Sequence, residues 1–295
     1  MAWLRKCQMS PLDRVVVFLC VIIWSAFGPH DARAQSFVNP AQIHISYDVP
    51  TDPKFRPMYD ALKRRNVLER LQGFLSPLRL PKELSVRLAQ CGAETSPYPP
   101  GGPVTICYEM VQRISDITFQ NTTDPNDRVL VIDGTFVQMV LHEVALAVFD
   151  VLQVPIWGRA EDAADRVSAL IMMQFGDELA VTTIIGTAKF FEYSKHEWTG
   201  GDFASQGSPE AQRFYNYLCI AYGGDPIAFR FLAPRPGPSA FATLPEHRAA
   251  RCAGEYQQVR HAFDMRIMPF VDPDAVTKVR ASQWLLSDEY PGRSK

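Results

Sequence analysis

The chain has 295 residues, with 30 Lys and Arg against 32 Asp and Glu, a formal charge of -2 and 47% apolar residues. A nucleic-acid partner usually demands a basic stripe, and this balance offers none, so nucleic acid is not an expected partner. There is no internal repeat, no low-complexity run, no GxSxG elbow, no phosphate-binding GxxxxGKS and no GxGxxG after a strand, which sets aside several common hydrolase and nucleotide chemistries.

The first 34 residues read as a secretory signal. Arg5, Lys6 and Arg14 form a positive start, Val15 to Phe27 is an apolar run, and Ala32-Arg33-Ala34 is a small-x-small cleavage site before Gln35. The apolar run is too short for the ~20 residues that span a bilayer. The expectation is therefore one mature domain over 35–295 in the periplasm or outside the cell, with no stable membrane anchor after cleavage. Its formal charge would be -4, because the leader removes four basic and two acidic residues.

Four cysteines remain, Cys91, Cys107, Cys219 and Cys252. They allow three connectivities. The preferred one joins Cys91 to Cys107 and Cys219 to Cys252, since each pair brackets one local turn-containing unit, and an oxidising compartment favours bridges over thiols.

Gln42 to Asp48 alternates polar and apolar residues and predicts a strand. Met58 to Phe74 places Leu62, Val67, Leu68, Leu71 and Phe74 at helical spacing, and Pro77 and Pro81 end the helix. Leu84 to Ala89 and Val104 to Tyr108 predict two further strands in a hairpin, separated by a Pro- and Gly-rich loop. Asp124-Pro125-Asn126-Asp127 reads as a turn. After Asp133-Gly134 a long apolar helix is predicted from about Thr135 to Leu152.

That helix carries His142-Glu143-Val144-Ala145-Leu146. In HExxH metallopeptidases two histidines at i and i+4 share a helical face and bind zinc, while the glutamate activates the metal-bound water. The first half is present here; Leu146 stands at i+4. Pro155 and Gly158 then break the chain, and a second helix opens with Glu161-Asp162-Ala163-Ala164-Asp165. Glu161 and Asp165 project from one face. Acidic residues at a helix start also suit the macrodipole, so it is the combination with His142 that singles them out.

Phe136 to Gln174 resembles a family of metallopeptidase-like bacterial secreted proteins of otherwise unknown function, whose helices read HEVGHALFD and GREEDAAD. The similarity extends to Leu68 to Leu84, Ile106 to Glu109, Gln212 to Cys219 and Arg248 to Cys252. The resemblance implies a gluzincin-like site: His142 and Glu161 as zinc ligands, Glu143 as catalytic base, and Asp165 holding His142 from behind. This chain departs from the pattern at Ala145-Leu146, where the family has Gly-His. Leucine has no lone pair to give, so zinc affinity is expected to be reduced. His196, His247 and His261 are the candidates for a substitute ligand, with His196 placed best, after an aromatic cluster and before the Gly- and Ser-containing run Trp198 to Ser208.

The expected fold is α+β and zincin-like: a small N-terminal β-sheet, then a mainly helical part with two packed site helices. Asp225-Pro226 and Pro245-Glu246 mark later helix starts, and Leu232 to Pro245 reads as a loose connection. The expected function is that of a metallopeptidase-family protein with an impaired or lost zinc site, acting on a peptide or protein substrate if active. The alternative is a non-catalytic relative that uses the old cleft for binding.

Overall fold

The computed structural model describes residues 43–93, 98–195, 204–235 and 243–280. The expected signal segment, His196 and most of the run from Trp198 lie outside these residues, as does the middle of the Leu232 to Pro245 connection.

Three short strands, β1 (Ile43–Tyr47), β2 (Leu84–Ala89) and β3 (Val104–Cys107), form one sheet in the order β1-β2-β3. Both pairings are parallel. The predicted hairpin is thus corrected: β2 and β3 run the same way, and the Pro- and Gly-rich segment is a crossover rather than a tight turn. The Cys91–Cys107 bridge agrees with this arrangement. Ala89 is in register with Cys107, so both cysteines sit at the same end of the sheet.

Between β1 and β2 lie two helices, α1 (Arg56–Arg64) and α2 (Val67–Leu75), where one was expected. Asn66 separates them at φ 52. Asparagine tolerates this left-handed conformation better than most residues, and the break lets Leu68, Leu71 and Leu75 turn into the core independently of α1. Tyr108, predicted as strand, instead begins α3 (Tyr108–Asn121).

The central element is α4 (Pro125–Val151). It starts ten residues earlier than predicted, because Asp124 caps it by accepting a hydrogen bond from Asn126 N and Pro125 occupies the first turn. Gly134 is therefore a helix-interior residue. It marks where α4 crosses α6 (Asp177–Ser194): a Cβ on Gly186 would lie 2.0 Å from Leu130 O, and Thr187 Oγ1 donates to Gly134 O at 2.9 Å.

α4 is long and apolar enough to cross a bilayer, yet 61% of its most apolar window is buried within the protein. Its apolar residues face two cores. Val140, Val144 and Val148 join the sheet, α1 and α2, while Val131, Val137 and Leu141 join α6 and the later helices. A helix between two cores is apolar all round.

The remaining helices are α5 (Ala160–Met172), α7 (Glu210–Gly224), α8 (Glu246–Arg266) and α9 (Pro273–Arg280). α7 and α8 are joined by the Cys219–Cys252 bridge, so both preferred disulfides are present. Pro245 does precede a helix. Asp225 does not start one: its carboxylate caps a turn by accepting from Ile227 N and Ala228 N, and only a short 3-10 turn at Arg230–Leu232 follows.

Candidate active site

α4 and α5 are antiparallel neighbours joined by a short return. Gln153 at φ 50 ends α4, and Val154 N donates back to Phe149 O at 2.8 Å. This return sets Glu161 and Asp165 of α5 opposite His142 and Gln138 of α4, each pair one helical turn apart.

His142 is buried and both ring nitrogens are engaged. Nδ1 lies 2.8 Å from Asp165 Oδ1, and Nε2 lies 2.7 Å from Glu161 Oε2. With a carboxylate at each nitrogen, the imidazole is doubly protonated. Burial alone would lower its pKa, but the bonds to Asp165 and Glu161 outweigh that and push it up to about 9. The bond from His142 holds Glu161 below the usual carboxylate range.

Asp165 is anchored from behind by a residue the sequence did not single out. Arg213 of α7 donates to both its oxygens, Nε to Oδ2 at 2.7 Å and Nη2 to Oδ1 at 2.8 Å, and its guanidinium lies 4.3 Å from the centre of the Phe191 ring. Gln138 Nε2 and the Tyr217 hydroxyl also approach Asp165 Oδ1, at 3.2 and 3.4 Å. Burial would raise the Asp165 pKa, but Arg213 and His142 hold it far below the ordinary range. No spacing signal links Arg213 to Asp165 across 48 positions.

Glu143 is different in kind. It is half-buried and has no hydrogen bond or ion pair among the described residues. Burial pushes its pKa up to about 7, with the charge of His142 working against the rise. A carboxylate poised near neutrality suits proton transfer.

The wall beside Glu161 comes from the segment before α7. Ser208 donates through N and Oγ to Asp162, at 3.1 and 2.9 Å, and Arg159 Nη1 donates to Gly207 O at 3.0 Å. These contacts hold Gly207 close enough that a Cβ there would sit 3.9 Å from Glu161 Cβ.

Three quarters of this architecture falls under one family pattern: the model of DUF4344, described as a putative metallopeptidase, matches residues 47–266. The chain belongs to this family. No curated protein and no solved structure matches it. The matched span runs from the end of β1 to the end of α8 and contains every site residue named above.

A metallopeptidase calls for a metal, and the donor set can be tested for one. A catalytic zinc takes three protein ligands in addition to water. Here His142 Nε2 and Glu161 are the two donors that converge, and they are bonded directly to each other. Their 2.7 Å separation is shorter than the roughly 3.3 Å that two ligands span around a tetrahedral zinc. Leu146 is partly buried and packs against the sheet-side core. His247 and His261 are exposed on α8. Among the described residues the one cluster of three metal-type side chains is Cys91, Cys107 and Glu109, where the sulfurs are consumed by the disulfide. The described residues therefore do not complete a three-ligand zinc site.

Proposed function

We propose that this chain is an exported member of the metallopeptidase family whose zinc centre is impaired. His142 and Glu161 remain as the donor pair of a gluzincin-like arrangement, Asp165 orients His142 from its far side, and Glu143 stands in the position of the catalytic base. The single observation that carries the reading is the direct His142–Glu161 bond beside Leu146.

The charges explain how such a site persists. Buried carboxylates are costly without a cation, which by itself argues for a metal. In this protein the imidazolium of His142 and the guanidinium of Arg213 offset Glu161 and Asp165, and the four-residue cluster is neutral as it stands. A metal entering at His142 Nε2 would have to displace a proton and open the pair without a third ligand from among the described residues in compensation.

The same neutrality favours the second reading, a non-catalytic protein that binds peptide in the former cleft. Glu143 favours retained chemistry, because it has no structural partner to account for its burial. Metal content decides between an impaired and an intact centre. The mature protein and its Leu146→His variant are dialysed against trace zinc and analysed for bound metal. Little zinc in the unmodified protein and near one equivalent in the variant is the expected result. Near one equivalent in the unmodified protein sinks the impaired-site reading.

A further inference from the structure

The geometry points to a second binding site, unrelated to His142, that takes a single-chain apolar molecule with a cationic end. At the far end of α5 lies a half-open cavity of about 470 Å³, inside the range of ~300–1,000 Å³ typical of small-molecule pockets. Leu170 and Ile171 line it; they are nine and ten residues beyond Glu161, roughly 14 Å along the helix axis.

The walls are apolar and come from four separate parts of the chain. Phe74 and Leu78 follow from α2, Ile171 and Phe175 from the end of α5, Phe263 from α8 and Val276 from α9. Phe74 and Phe175 meet edge to face at 5.4 Å.

The far wall is tied down rather than loosely laid against the others. Leu78 and Val271 form an antiparallel bridge, Arg79 N donates to Phe270 O at 2.7 Å, and Asp272 N donates to Pro77 O at 2.8 Å. Arg79 and Asp272 add an ion pair at 2.7 Å. A cavity held by this many backbone bonds is pre-formed, which spares a ligand the cost of ordering its own site.

The polar rim selects the head group. Arg260 is the cation at the rim, and its Nε is already bonded to both oxygens of Asp264, at 2.8 and 2.9 Å. Against it stand Asp177 and Glu178 in the first turn of α6. Asp177 is exposed and has no partner among the described residues. A carboxylate-headed ligand would meet the unpartnered Asp177 and a cation already neutralised. A cationic head meets complementary charge. Both acids are exposed, so the discrimination is a matter of several-fold rather than orders of magnitude.

The test is calorimetric titration of the full mature protein with dodecyltrimethylammonium, dodecanol and dodecanoate, each below its micelle concentration. The ammonium chain should bind saturably at one per chain, at least threefold tighter than dodecanol, with dodecanoate weakest. Asp177→Asn combined with Glu178→Gln should erase the preference over dodecanol and leave dodecanol binding unchanged. Met268→Trp, at a partly exposed lining position, should weaken all three at least tenfold in a protein with an unchanged circular dichroism spectrum. Non-saturable uptake, dodecanoate as the tightest ligand, or full affinity in Met268→Trp would each overturn the assignment. So would binding that appears only after residues 281–295 are removed, since the chain's own end would then be the occupant.

Discussion

His142 Nε2 and Glu161 Oε2 are 2.7 Å apart, joined by a hydrogen bond that links α4 to α5. The bond gives a pH signature. The pKa of His142 is raised from 6.5 to about 9 in the folded protein, so its charged form stabilises the fold. That contribution is fully present below pH 6.5 and is lost as pH rises to 9. Metal-free protein should therefore lose stability across that window in urea unfolding. Glu161→Gln should lower the His142 pKa, read by NMR titration of the ring protons, and end the loss at a lower pH. An unshifted imidazole titrating near 6.5 would contradict the doubly bonded geometry.

Glu143 acts in the opposite sense to an ordinary salt-bridged acid. Its folded pKa is raised from 4.5 to about 7, so its ionisation is disfavoured in the native state and costs stability as pH rises from 4.5 to 7. Glu143→Gln removes this cost. The variant should be more stable than the parent at pH 7.5, by up to about 3 kcal/mol, and indistinguishable from it at pH 4. Chemical denaturation at the two pH values checks this; a destabilised variant at pH 7.5 would show that Glu143 has a structural partner.

Arg213 supplies the cation behind the site, and its removal leaves the buried Asp165 with His142, which it shares with Glu161, as its remaining cationic partner. Arg213→Met should cost about 3–5 kcal/mol. Arg213→Lys should recover part of this but not all, because an ammonium cannot reproduce the two-pronged contact with both oxygens. Adding Asp165→Asn to Arg213→Met should cost less than the sum of the two single changes. Unfolding curves of the four variants measure the coupling, and strict additivity would mean the pair is not an energetic unit.

What could be read from the order of residues was local. Strand alternation in β1, apolar β2, the start of α5, Pro245 ahead of α8 and the spacing of Glu161 and Asp165 all depend on neighbours within a turn or two. The disulfide pairs were legible for the same reason, each enclosing one short unit. Where local signals misled, a distant contact had overridden them. Asp133-Gly134 reads as a boundary, but Gly134 is small because α6 crosses α4 there, with Gly186 on the other side. The segment between β2 and β3 reads as a hairpin, but the sheet is parallel.

The site divides along the same line. His142, Glu143, Leu146, Glu161 and Asp165 were identifiable from two short helical stretches. Arg213, Gln138 and Tyr217 were not, because nothing in a one-dimensional spacing reports which helix face meets Asp165 from 48 or 52 positions away. The sequence by itself determined which donors the two site helices carry and that position 146 holds a leucine. Only the tertiary structure decided that the remaining charges balance one another, because charge compensation in a buried cluster is set by distance through space.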